Sequence, residues 1–95
     1  DIIRVIRKSM DILFKKNICE TINVGTGKSS SVNKLLEIIK NILKADPTIE
    51  LKDLPFGDPE RSEGTYKKIR NLLNIDIKSF TDLNKGLEET IKYYK

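Results

Sequence analysis

Two glycines one residue apart, Gly25 and Gly27, divide this chain. They stand between a short apolar run, Thr21-Ile22-Asn23-Val24, and an amphipathic stretch led by Ser29, Ser30 and Ser31. Glycine accepts the positive φ angles of a tight reversal, so a turn belongs here. The run before it reads as a strand, and the stretch after it as a helix over Val32 to Leu43. Val32, Leu35, Leu36, Ile39 and Leu43 form the inner side of that helix, and any of the three serines can cap it. The whole must fit into 95 residues, which is one domain or part of one.

The flanking pattern fills in the rest. Asp1 is placed to cap a helix from about Ile2 to Lys15. Its stripe of Ile2, Ile6, Met10 and Leu13, widened by Ile3 and Phe14, is expected to face inward. Asp46-Pro47 ends the serine-led helix. The alternation over Ile49 to Asp53 predicts a half-buried strand. Pro55, Gly57 and Pro59 mark an extended loop from Leu54 to Gly64. Thr65 then caps a short helix, Tyr66 to Leu73, with Ile69, Leu72 and Leu73 inward. Thr81 or Asp82 starts a last helix carrying Leu83, Leu87, Ile91 and Tyr94 on one face. Helix, strand, helix, strand, helix, helix is an α/β or α+β expectation, with too few strands for a complete doubly wound sheet.

Composition narrows the function. With 38% apolar and 34% charged residues, the chain is too apolar for a disordered one. The net charge of +4 reads as dispersed, because acidic residues sit among Arg4, Arg7, Lys8, Lys15, Lys16, Lys67, Lys68 and Arg70. A nucleic-acid reader usually gathers such charge on one face, so solvated helix faces are the simpler reading. Cys19 is the single cysteine, set among apolar residues, and is expected to be a buried structural thiol. The chain has no histidine, which argues against a Cys–His nucleophile and most zinc sites. No apolar run reaches the roughly 18–20 residues of a membrane span. No signal-peptide pattern is visible, which gives a cytoplasmic expectation. The first residue is Asp1 and not methionine, so the chain is expected to be cut from something longer.

Two motifs in the glycine turn invite a phosphate-binding reading. A P-loop needs a first glycine at position 22, which is Ile22, so its opening residue fails. Gly25-x-Gly27-x-x-Ser30 approaches the dinucleotide fingerprint, with Asp53 some 26 residues beyond Gly27. Its third glycine is a serine, and the chain has no room for the remaining strands. A tight strand-to-helix turn is the simpler account.

Three segments, taken in order, resemble the end of the extended short-chain dehydrogenase/reductase family. These are the NAD-dependent epimerases and dehydratases of nucleotide sugars. The first is Ile22-Asn23-Val24-Gly25-Thr26-Gly27 with Ser31-Val32-Asn33-Lys34-Leu35-Leu36. The second is Gly57-Asp58 followed by Lys68-Ile69-Arg70-Asn71-Leu72-Leu73. The third is Leu83-Asn84-Lys85-Gly86-Leu87 with Thr90-Ile91-Lys92-Tyr93-Tyr94.

The resemblance implies an extended Rossmann-type enzyme of which this chain is the carboxy-terminal part, without the NAD-binding core. Residues 1–27 would be the last helix and strand adjoining the Rossmann sheet, and 28–95 the substrate-binding region. It implies NAD as cofactor of the parent and none held by this chain. The partners it implies are an upstream Rossmann domain of the same polypeptide and a nucleoside-diphosphate sugar, with a homodimer through exposed apolar surface as a further expectation. The family's Tyr-x-x-x-Lys pair is missing: Tyr66 is followed at that spacing by Arg70. No catalytic residue is therefore expected here. Many members carry an arginine two residues before the glycine-aspartate pair, where this chain has Pro55. Asp58 and Arg61 are the candidate substrate contacts, Arg61 as a fixed fork for phosphate oxygens. The alternatives are a small non-enzymatic interaction domain and a basic nucleic-acid-binding module.

Overall fold

The computed structural model describes residues 1–95. Its regular elements are helices: α1 (Ile2–Leu13), α2 (Val32–Leu43), α3 (Lys67–Leu73), a 3-10 turn over Ile77–Ser79, and α4 (Leu83–Tyr94). The α/β expectation is overturned, because no strand forms at Thr21–Val24 or Ile49–Asp53. Alternating residues make a strand only where a second backbone lies alongside to exchange hydrogen bonds. Neither segment has one, and Leu51 is left almost fully exposed.

Packing gathers the chain into two units. The first joins Asp1–Lys28 to Glu63–Thr81, and the second joins Ser29–Ser62 to Asp82–Lys95.

In the first unit α1 packs on α3. The buried core is small: Val5, Ile69, Leu73 and Ile75, with Ile12, Ile22, Leu72 and Phe80 against it. At 3.6 residues per turn, the apolar residues of α1 cover an arc of about 200°. Only one edge of it, Val5, Ser9 and Ile12, turns inward. The expected inner stripe is therefore corrected: Ile2, Ile6, Met10 and Leu13 lie outside, each more than half exposed. Asp1 makes no cap with its side chain. Its carboxylate instead accepts from the Thr81 backbone N–H at 2.9 Å and its hydroxyl at 3.4 Å. Cys19 is exposed and not buried, since no element covers the stretch after α1. The segment between α3 and α4 supplies Ile75 to the core and forms the 3-10 turn.

In the second unit α2 packs on α4. Leu35, Leu36 and Ile39 are half-buried as expected, joined by Ile38 and Ile42, while Val32 and Leu43 at the ends stay exposed. Of the three serines Ser31 is the cap, accepting from the Lys34 N–H at 3.1 Å. Asp82 caps α4 by accepting from the Asn84 and Lys85 N–H groups at 3.0 and 3.2 Å. Two helices end on a left-handed residue without a glycine: Lys44 after α2 and Asn74 after α3, both at φ 51°. Asparagine accepts that region at less cost than lysine does. The Lys40 ammonium reaches back to Asp46 at 2.5 Å. That hydrogen bond and its charge hold the Asp46 carboxyl below the ordinary aspartate value.

The chain exposes 8715 Å². A self-standing monomer of 10.9 kDa exposes about 5,600 Å² by the usual mass scaling. Even two free bodies of half that mass would expose only about 6,700 Å². No helix is long and apolar enough to cross a membrane.

Candidate functional site

The loop that carries Asp58 and Arg61 has one ordered turn. Pro55 has its φ fixed by its ring, and its carbonyl accepts from the Asp58 N–H at 3.1 Å. Gly57 takes φ 90°, the value a type II turn requires at its third residue. This turn holds Phe56 wholly in solvent and brings Asp58 out of it with its side chain exposed. Arg61 is exposed further along the same loop. Both candidate contacts thus share one loop and one unit. An open depression of about 410 Å³ lies elsewhere in that unit. Asn33, Leu36, Glu37, Lys40, Asn41 and Ile49 line it, and neither candidate contact does.

The glycine turn is used differently. Gly27 adopts φ 67°, and a Cβ there would fall 2.5 Å from Cδ1 and 2.8 Å from Cε1 of Tyr66. Gly25 faces Gly64 at ordinary contact distance, 4.0 Å from its would-be Cβ. The missing side chains let residues 25–27 lie against the start of α3. A dinucleotide needs that space for its pyrophosphate, with a helix amino end directed at it. Here the tyrosine ring fills it, and α2 begins only at Val32. The turn does not fit NAD.

Several residues that hold this region have no motif to mark them. The Lys68 ammonium donates to Glu20 Oε2 at 2.8 Å and to the Thr21 carbonyl at 3.0 Å. It ties the extended segment before the glycine turn to α3. The Arg4 guanidinium donates to Ser79 Oγ at 2.8 Å and stacks over the Phe80 ring, 5.4 Å from its centroid. Only long-range geometry pairs these residues, separated by 48 and 75 positions in sequence. Thr65 Oγ1 accepts from the Lys67 N–H at 3.4 Å, one residue before the Tyr66 cap position of α3.

Charge also divides between the units. The α1–α3 unit holds ten Lys/Arg against five Asp/Glu, net +5, and the α2–α4 unit eight against nine, net −1. The positive excess is therefore gathered in one unit and not dispersed.

The chain is similar to a nucleotide-sugar epimerase over a limited stretch. That relative is a Bacillus subtilis (strain 168) protein described as an uncharacterized UDP-glucose epimerase, YtcB, 32% identical over 76 residues. The match takes in 80% of this chain and 23% of the relative. The chain thus spans about a quarter of the length of the curated relative it matches. No family model matches it, and no solved structure does.

Proposed function

We propose that this chain is the nucleotide-sugar-holding part of an NAD-dependent epimerase or dehydratase, and that it is inactive alone. The observation that carries the reading is the partial match to a protein named as a UDP-glucose epimerase. A piece of such an enzyme has reason to leave apolar surface uncovered, as the outer stripe of α1 does.

In this reading NAD belongs to the parent enzyme and supplies hydride chemistry outside this chain. Asp58 and Arg61 hold the substrate. Arg61 presents a planar fork of donors that matches two phosphate oxygens at once. Asp58, an acceptor when ionised, takes hydroxyl donors of the ribose or sugar. Such contacts, remote from the reacting carbon, position it for reaction.

The experiment is titration of the ¹⁵N-labelled chain with UDP-glucose, followed by amide chemical shifts. Shifts should cluster over Leu54–Gly64. Arg61→Ala should weaken binding about tenfold or more, the scale of a lost charge-assisted hydrogen bond, and Arg61→Lys should not restore it. Shifts confined to other segments, or equal binding by the Arg61→Ala variant, would remove the assignment.

A further inference from the structure

We propose that Phe56 is a stacking platform for the nucleobase: its ring lies against the base of the nucleoside-diphosphate sugar, beside the Asp58 and Arg61 contacts. The proposal deepens the reading above and rests on it.

Phe56 is the most exposed of the large apolar side chains, at 108%. Its backbone is held there. It is the second residue of the turn that the Asp58 N–H closes on the Pro55 carbonyl at 3.1 Å, with Gly57 at φ 90°. The turn is ordered without a ligand, so binding one costs little further ordering of the backbone. Gly57 brings no side chain to the neighbouring position, and a Cβ placed there would meet nothing within 4 Å. A flat ligand therefore has open space next to the ring. The depression on α2 does not receive the ring, since Phe56 is not among its lining residues.

The residues that follow select the kind of ligand. Positions 57–63 carry no large apolar side chain. An aromatic that anchors a protein contact sits within a ring of further contacts that shut out water, and Phe56 has none on that side. An anionic bilayer would meet Asp58, Glu60 and Glu63 in the same stretch. A nucleotide fits the order of groups along the loop. A π-face comes first, then a carboxylate, then a guanidinium, as base, ribose hydroxyls and diphosphate follow one another along the ligand. A simple sugar phosphate would use Arg61 and leave the ring in water. Phe56 thus selects nucleotides over sugar phosphates.

The test uses the full chain, which has no tryptophan, so Phe56→Trp places a single indole at the site. The ring lies in solvent, so exchanging it leaves the packing of both units untouched. UDP and UDP-glucose should quench the indole fluorescence, and glucose 1-phosphate, which has no base, should not. Phe56→Ala and Phe56→Leu should each weaken UDP binding about tenfold, the scale of one stacked base, and Phe56→Tyr should keep it within about twofold. UDP binding unchanged by Phe56→Ala overturns the stack. So does Phe56→Leu binding as tightly as Phe56→Tyr, or quenching by glucose 1-phosphate equal to that by UDP. If UDP-glucose shifts the Leu54–Gly64 amides and depends on Arg61, while Phe56→Ala binds normally, the stack falls and the substrate reading stands. If UDP-glucose shifts no amide of that loop, the substrate reading falls and the stack falls with it.

Discussion

Replacing Gly27 by alanine tests whether the glycine turn exists for packing. Two costs add. Alanine at φ 67° sits in the left-handed region, which costs an L-residue about 1–2 kcal/mol. The new Cβ would also fall 2.5 Å from the Tyr66 ring, and an overpacked contact of this kind costs typically ~1–3 kcal/mol. Gly27→Ala should therefore destabilise the chain by about 2–5 kcal/mol. Tyr66→Ala removes the obstruction and leaves the backbone term. In that background the same Gly27→Ala change should cost only about 1–2 kcal/mol. The assay is urea unfolding followed by far-ultraviolet circular dichroism for the four members of the cycle. The expected coupling of 1–3 kcal/mol lies well above the ~0.5 kcal/mol scatter of independent sites. If Gly27→Ala costs the same with and without Tyr66, the ring does not occupy that space and the packing account is wrong.

Lys44→Gly should raise stability by up to about 1 kcal/mol, seen as a higher midpoint in the same unfolding assay, because glycine takes φ 51° without strain. Asp46, its pKa depressed by Lys40, should contribute stability above its unfolded pKa and lose it as pH falls through the lower folded value. The difference in unfolding midpoint between the chain and its Asp46→Asn variant should therefore shrink below about pH 4 and stay constant above it. Cys19, exposed, should react with a disulfide reagent in the native state at nearly the rate measured in urea; a rate at least tenfold slower would mean it is covered.

Local chemistry was legible where a single residue sets it. Ser31 and Asp82 cap their helices as their residue types allow, and Ile69 and Leu73 face inward as their spacing predicts. Pro55 and Gly57 mark a real turn. The failures share one cause. Alternation over Ile49–Asp53 and the apolar stripe of α1 say that a surface prefers cover, but not where the cover comes from. Without a neighbouring backbone the first stays irregular, and without a neighbouring face the second stays in water. The helical pattern of α1 also hides the choice within a 200° arc, since Val5, Ser9 and Ile12 lie beside the more conspicuous isoleucines. At the candidate site, sequence points to Asp58 and Arg61 as residues and to their loop. The clasp of Lys68 on Glu20, and the seat of Tyr66 on Gly27, needed three dimensions.

Each unit is interrupted by a piece of the other, and this fixes an order of assembly. Asp1 finds Thr81 only across 80 positions, and Arg4 finds Ser79 across 75. On a ribosome, α1 must wait for α3 while the α2 segment and its loop are synthesised, and a nascent chain halted before residue 81 lacks the Thr81 partner of Asp1. Truncation at any point between Lys28 and Glu63 separates both units from half of their partners at once. A stable half of this molecule would have to be made by joining distant stretches with a linker, not by shortening the gene.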